Sequence, residues 1–419
     1  MARVSASTVD VAVVGGGPAG AVAAALLARR GYAVRVLERS PAWRWRACGV
    51  FTSPAAVREL RQVGLTDAEI DRVSRPIAAM RVESSRGASF RLTYGADTSG
   101  AGGAVGFDRS TLDPLLLDVA RVAGADVSIG TTVRQVDLDG DNSVRTLSLD
   151  RPASGEGGSE VLRARVVVGA DGTQSLVARS AGVVRPALLS PRVGLSWHVP
   201  DATDAAVDAC IPDARMVVLG DTYVGLAPVP GGRINVGVVL GPVARRRLAR
   251  DGATATAAAV LRRVRALDGD VAVADRAAVD RIEGVSPVGH AVHRLFGPGW
   301  LLVGDAAGFL DPFTGEGLHR ALVSSRLAAE AIDRHLRRRD NGDRAFAAYG
   351  RAMRRRFLAK DLVTLVIQAF LARPALFEYA ASRLATRASV RATMGNVIGD
   401  LAPATAALDP RFVMALLRP

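Results

Sequence analysis

Three glycines, Gly15, Gly17 and Gly20, stand in the pattern G-x-G-x-x-G, and Glu38 follows Gly20 by 18 positions. At a strand-to-helix turn the first glycine makes the turn and the second lets backbone approach a pyrophosphate. The third lets the helix pack on the strand, and the helix N-terminus faces the phosphate charge. A carboxylate closing the next strand accepts hydrogen bonds from an adenosine ribose. Two further clusters carry polar chemistry: Ala170-Asp171-Gly172-Thr173, and Gly304-Asp305 followed by Pro312 to Leu318, P-F-T-G-E-G-L. An aspartate at the end of an apolar strand points into the crevice at the sheet edge, and its two acceptor oxygens suit a polyol. Read alone, Asp305 could equally cap a helix. Thr314 to Gly317 is expected to open a long helix, whose unpaired N–H groups and positive dipole end would stabilise negative charge.

The elements that must position these residues follow the same order. Val11 to Val14 reads as a buried parallel strand, Ala21 to Arg30 as a helix stopped by Gly31, and Val34 to Leu37 as a second strand. Val11 to Ala28 has no charge, but three glycines and a proline interrupt it, which rules out a membrane span or a secretory signal. Ser40 and Pro41 then start a loop carrying Arg44, Arg46 and Cys48 from the ligand-binding edge of the sheet. A helix from Pro54 is closed by Gly64, short strands run from Arg75 to Leu92, and 98–104 is glycine-rich. A helix from Phe107 to Val122 is capped by Asp108 or Ser110. Strands from Asp126 to Ser148 enclose an Asp139–Asn142 turn, and a loop fills Arg151–Ser159. Strands recur from Arg192 to Val239 and from Val271 to Ile282, around an alanine-rich helix at about Ala253 to Ala266. Strand Trp300 to Val303 leads into the Gly304 cluster, and a long helix runs on to about His335. From Asp343 the chain is helical, with Leu362, Leu365, Val366 and Phe370 at 3–4 spacing. This reads as an amphipathic bundle packed on the protein, with a peripheral membrane contact as the alternative.

The 419 residues leave room for two or three domains. The net charge of +13 comes almost wholly from dispersed arginines, with Lys360 the only lysine and aromatics at 5%. No nucleic-acid-binding motif accompanies that charge, so no nucleic-acid partner is expected. Two cysteines, Cys48 and Cys210, make no disulfide framework and fit a reducing cytoplasm. His290 and His293 lack further ligands, so no metal is expected; His198 and His319 are candidates for the ligand pocket, though an isolated histidine is more often structural. Cys48 is about as well read as a small buried hydrophobe as a redox group.

The three glycine–acid clusters together resemble the FAD-dependent monooxygenase and geranylgeranyl-reductase superfamily over nearly the whole chain. The resemblance implies an α/β fold: a Rossmann-like FAD-binding domain (1–75, 104–184 and 285–342), a mixed-sheet substrate domain (76–103 and 185–284) and a C-terminal helical extension (343–419). It implies that Gly15, Gly17, Gly20, Glu38 and Arg39 hold the adenosine diphosphate half of FAD, with Val133 meeting the adenine through its backbone. Arg109 would reach toward the phosphates, Asp171 and Gly172 would sit near the pyrophosphate, and Gly304 and Asp305 would bind the ribityl chain. Gly315 and Gly317 would lie against the flavin ring. Pro312 to Leu318 and Arg44 to Gly49 look like the reductase branch. Tyr223-Val-Gly-Leu-Ala-Pro228 looks like that branch's Y-x-W-x-F-P substrate motif with Gly225 in place of tryptophan, so Cys48, Tyr223, Gly225 and Pro312 are expected at the substrate pocket. No catalytic residue is assigned, and a halogenase's W-x-W-x-I-P motif is absent. The expected activity is FAD-dependent oxidation or reduction of an apolar small molecule of terpenoid, polyketide or quinone type. The Gly225 departure favours hydroxylation narrowly over reduction of a prenyl C=C bond; a flavin-binding subunit without turnover is the non-enzymatic alternative. With no second dinucleotide fingerprint, NAD(P)H is expected to visit transiently as electron donor.

Overall fold

Val11, Ala12, Val13 and Val14 are all buried, Val11 and Val13 on one face of strand Ala6–Val14 and Ala12 and Val14 on the other. A strand covered on both sides belongs inside a parallel sheet. It pairs in parallel with Val34–Glu38 and with Ser159–Gly169. The sheet runs in the order Phe296–Gly297, Trp300–Leu302, Ser159–Gly169, Ala6–Val14, Val34–Glu38, Asp126–Ile129. Antiparallel strands Arg145–Asp150 and Thr132–Asp137 extend from Ser159–Gly169. Helices Pro18–Ala28, Arg109–Val122 and Gly317–Arg338 pack on one face; the antiparallel strands and the short helix Leu176–Ser180 pack on the other. This is the expected Rossmann-like α/β layering. Arg35, buried in the strand Val34–Glu38, is matched by Glu160 at 2.5 Å and by the Ser128 hydroxyl at 3.1 Å. The structure, a computed structural model, describes residues 6–43, 45, 50–95, 103–138, 144–150, 159–189, 191–201, 211–268, 281–338 and 344–418.

A second, seven-stranded sheet runs Glu283–Val285, Val193–Pro200, Arg233–Leu240, Tyr223–Val229, Ala214–Val218, Ala79–Ser84, Ser89–Thr93. Period-two alternation sends Val224 and Leu226 outward and Tyr223 and Ala227 inward. The outer face packs on helix Pro242–Asp268. That segment is two helices joined at a break at Gly252 (φ 79°): a stretch that begins at Pro242 precedes the alanine-rich part at 253–266. Strand-paired residues share a face, so Ser196, Gly237, Gly225, Met216, Val82 and Phe90 form one row across the inner side. A small sheet of Phe51–Thr52, Ala104–Phe107 and Ser74–Ile77 lies between the two large ones.

The C-terminal helices Arg344–Leu371, Pro374–Thr386, Ala388–Ile398 and Pro410–Leu417 fold back over the strands Ala79–Ser84 and Ser89–Thr93, burying Leu371, Ala381, Leu384 and Val390 against them. The long helix Gly317–Arg338 runs three residues beyond His335. The expected turn at 139–142, the loop at 151–158 and most of the strands expected at 271–282 lie outside the described residues.

Candidate active site

Val14 is in register with Gly169, and Gly169 with Leu302, so three strands from distant parts of the chain end level at one sheet edge. Gly15 leaves the first strand with φ 103°, and a Cβ there would stand 2.4 Å from the carbonyl oxygen of Ala170. Only glycine fits that position. A Cβ on Gly20 would collide with the Gly15 carbonyl at 1.9 Å, while the same position on Gly17, at the start of helix Pro18–Ala28, has nothing within 4 Å. The open side of Gly17 thus leaves room for a phosphate at the helix N-terminus. Glu38 is held ready: its Oε2 accepts from Gly16 N at 2.8 Å and its Oε1 from Ser40 N at 2.9 Å. A carboxylate held at this strand end is placed to accept from a ribose hydroxyl. Thr131 N donates to the Glu38 carbonyl at 2.9 Å, which sets Val133 close to the same strand end, opposite Leu149 at a register shift. Arg39 is exposed beside Glu38.

Asp305 lies in a 3-10 turn, Gly304–Ala307, fixed by Gly304 N donating to Ser324 Oγ at 2.9 Å. It stands three residues past the strand Trp300–Leu302 rather than at its last position. Its half-buried carboxylate has no hydrogen-bond partner among the described residues. Burial pushes it above the usual carboxylate range, and Arg109 and Arg320 pull it back in part. An acid that meets a cost and no partner is what a polyol hydroxyl would satisfy. Arg109 is anchored by a two-point ion pair to Asp113, at 2.6 and 2.9 Å, so it faces the crevice already braced. Asp171 divides its two oxygens: Oδ1 is buried with no hydrogen-bond partner among the described residues, while the other serves the next helix. Its Oδ2 accepts from Leu176 N at 2.6 Å, capping helix Leu176–Ser180, and burial raises its pKa. Gly172, at φ 78° with open space beside it, is the part of the pair that leaves room.

The loop before the long helix also departs from expectation. Thr314 does not open that helix: Pro312–Thr314 is a separate 3-10 turn, Gly315 reverses the chain at φ 66°, and the helix begins at Gly317. Gly315 is required because a Cβ there would meet the Phe51 ring at 2.5 Å. The turn is fastened to the second sheet through Asp311, which accepts from Tyr223 Oη at 2.6 Å, Phe313 N at 3.0 Å and Arg192 Nη1 at 3.0 Å. The Tyr223 hydroxyl is therefore committed to positioning this turn. Gly225 is paired regularly on both sides, so it marks no bulge, and a Cβ there would make an ordinary 3.6 Å contact with Met216. Cys48, Arg44 and Arg46 lie outside the described residues.

An apolar cavity of about 100 Å³ adjoins Gly225's neighbour Met216. Met80 and Met216 line it from the sheet, Phe370 and Phe377 from the C-terminal helices, and Phe313 and Thr314 close its inner end. Methionines adapt to irregular apolar ligands. His198 packs edge-on against Trp45 with ring centroids 4.1 Å apart. His290 is buried, and no cluster of metal-ligating side chains occurs among the described residues.

Sequence reasoning missed a buried charge cluster behind the turn. Lys360 is buried, with its Nζ donating to the carbonyls of Val397 (2.7 Å) and Ile398 (3.2 Å) and to Asp400 Oδ1 (2.8 Å), and lying 3.6 Å from Glu316. His319 Nδ1 lies 3.0 Å from the other Asp400 oxygen, which also accepts from Ser53 Oγ at 3.1 Å. His319 is therefore structural. Hydrogen bonds and the Lys360 charge outweigh burial at Asp400 and hold its carboxyl well below the usual range, whereas burial raises Glu316. The one signal in the sequence was that a chain using arginine almost everywhere keeps a single lysine.

Three outcomes are expected. Asp305→Asn should weaken FAD binding roughly tenfold or more, since a hydrogen bond from a charged group contributes about 1.5–3 kcal/mol. The same change should stabilise the flavin-free protein, by on the order of 1 kcal/mol at neutral pH. A raised folded-state pKa costs stability as pH rises from the unfolded carboxyl's range through the folded one, so this gain should shrink on acidification. Titration with FAD and thermal melts across pH check both signs, and a destabilised apoprotein would contradict the site's electrostatics. Lys360→Met should destabilise the fold by roughly 3–5 kcal/mol, because it leaves buried carboxylates unpaired; an unshifted denaturant midpoint would refute the role of this cluster.

Residues 8–358 match the FAD binding domain family. The chain is 30% identical to the menaquinone reductase of Mycolicibacterium smegmatis over 335 residues, covering 77% of this chain and 76% of that protein. It is 32% identical to digeranylgeranylglycerophospholipid reductase 2 of Methanopyrus kandleri over 327 residues, with the same coverages of 77% and 76%. Its fold superposes on the structure of a geranylgeranyl bacteriochlorophyll reductase-like protein from Thermoplasma acidophilum with a TM-score of 0.75 at 21% identity, covering 99% of this chain and 97% of the other. The crevice built by Gly17, Glu38 and Asp305 and the match over 8–358 agree: the chain belongs to the FAD binding domain family, within the FAD-dependent monooxygenase and geranylgeranyl-reductase superfamily, and is an FAD-dependent oxidoreductase.

Proposed function

We propose that this oxidoreductase reduces a carbon–carbon double bond in the isoprenoid chain of an apolar lipid. The observation that carries the reading is the apolar cavity ending at Phe313 and Thr314, next to the turn that leads into Gly315 and Gly317. Both relatives described above are named as reductases, and both named substrates carry isoprenoid chains. Reduced FAD supplies a hydride equivalent when bound. The chain's own residues do the rest. Glu38, Asp305 and the helix end at Gly17 would fix the cofactor along the sheet edge, and the Tyr223–Asp311–Arg192 contacts hold the Pro312 turn against the second sheet. Apolar walls at Met80, Met216, Phe370 and Phe377 exclude water and leave an extended hydrocarbon as the best-matched occupant.

A nicotinamide nucleotide is the proposed electron donor. A separate cleft of about 440 Å³, lined by Gln174, Arg179, Arg185 and His290 beside the Asp171 loop, supports this: both arginines are exposed and could meet a phosphate. Hydroxylation is the second reading, favoured by Gly225, which stands on the inner face of the second sheet in contact reach of Met216 and carries no indole there to crowd the cavity that Met216 lines.

The reactions separate by product. The purified protein, reduced without oxygen and given menaquinone or a geranylgeranyl lipid in detergent, should yield a product gaining two hydrogens by mass spectrometry. A product gaining one oxygen atom, formed only in air, would replace reduction with hydroxylation, and no product in either condition would refute both. Gly225→Trp should keep the flavin spectrum yet abolish turnover of a ring-bearing substrate, because an indole there would press on Met216, which lines the cavity. Turnover at the parent rate would place Gly225 outside the pocket.

A further inference from the structure

The helix Arg344–Leu371 turns two faces to two environments. Its inner face carries Tyr349, Met353, Phe357 and Lys360 into the protein. On the outer face, Arg351, Arg355, Leu358, Leu362 and Val366 follow one another at three- and four-residue steps, which puts them in one stripe. Both arginines are exposed, and Leu358, Leu362 and Val366 retain 57%, 45% and 48% of their surface. From Leu362 to Ala372 there is no ionisable side chain. A second helix, Pro410–Leu417, adds exposed Val413, Met414 and Leu417, bracketed by exposed Arg411 and Arg418. Solvated helix faces do not ordinarily gather six large apolar side chains between arginines.

The apolar cavity reaches this surface. Val366 belongs both to the exposed stripe and to the cavity wall, and Leu416, on the second helix, lines the cavity as well. The cavity therefore extends from an apolar, basic-edged surface to Phe313 and Thr314 beside the flavin turn. Among the described residues no single helix is long and apolar enough to cross a membrane; Arg344–Leu371 and Pro374–Thr386 pass only as a pair bent by 115°, and both pack on the second sheet, which leaves their outer surface for contact in the plane of an interface. An apolar stripe continued by arginines matches the boundary between acyl chains and anionic headgroups.

We infer that the stripe on Arg344–Leu371, with the exposed face of Pro410–Leu417, docks on an anionic lipid surface and draws the lipid substrate into the cavity past Val366. The inference rests on the proposed lipid substrate for its purpose, but docking is measured without turnover, so failure of either can be told from failure of the other. Most of the surface, including Leu362, Val366 and the whole second helix, lies beyond residue 358, where the family match ends.

The test is flotation of the FAD-loaded protein with vesicles of phosphatidylcholine alone or mixed with phosphatidylglycerol. The parent protein should float with the anionic vesicles and be released by salt. Leu358→Asp/Leu362→Asp should lower binding at least tenfold while keeping the flavin spectrum, which reports the fold. Arg351→Gln/Arg355→Gln should also lower anionic-vesicle binding, by roughly twenty-five-fold, since each arginine near such a surface contributes about fivefold, and should leave the weaker binding to neutral vesicles unchanged. A parent protein that floats with neither vesicle would overturn the proposal. So would an aspartate variant that binds like the parent, or a parent dimer that the aspartate variant converts to monomer, which would make the stripe a contact between copies.

Discussion

The constraint on which the molecule depends is the level ending of three parallel strands. Val14, Gly169 and Leu302 share a register although they are far apart in the chain. Parallel pairing cannot be made by hairpins, so the intervening segments must leave the sheet and return. Two of those excursions build other parts of the protein: one supplies Ala79–Ser84 and Ser89–Thr93, and the other the remaining strands of the second sheet. The loops leaving the three strand ends, Gly15 to Gly20, Ala170 to Thr173 and Gly304 to Asp305, then emerge at one edge. That is why one crevice can hold a long cofactor with contacts from three distant segments.

The crevice carries electrostatic cost. Burial raises the carboxyls of Asp171, Asp305, Asp311 and Glu316, all within the loops around the cofactor site. Three of these have protein partners that offset the cost: the helix cap at Asp171, Tyr223 and Arg192 at Asp311, and Lys360 and Arg320 near Glu316. Asp305 has only the more distant pull of Arg109 and Arg320. Such an arrangement is expected where a site is built for a partner other than the protein itself. The Lys360 cluster links this region to the far end of the chain, because Glu316 follows the Pro312–Thr314 turn while Asp400 follows the third C-terminal helix.

Local chemistry was legible in the sequence. Gly15, Gly20 and Glu38 announced a strand, a tight turn and a second strand, and the structure supplies the reason for each residue type. The motif at Tyr223 to Pro228 marked Gly225 as a residue of interest, and strand pairing puts it in the inner row with Met216 and Gly237. The features that were not legible depend on contacts between distant segments. Nothing in Asp171-Gly172 reveals that the carboxylate turns to cap the next helix, and nothing around Thr314 reveals that Asp311 and Tyr223 tie off a separate turn before the long helix. Lys360 looked remote because its partners, Glu316 and Asp400, lie about forty positions away on either side. The start of the outer helix at Pro242 was hidden by Gly252, a residue that usually ends a helix.

The central claim is that the three converging loops hold one FAD without a covalent bond. It is tested by precipitating the purified yellow protein with acid and identifying the chromophore in the supernatant by mass spectrometry, with the amount set against protein concentration. The account expects free FAD at one per chain. FMN in its place, flavin retained on the precipitate, or folded protein that takes up no flavin when supplied with FAD would contradict it.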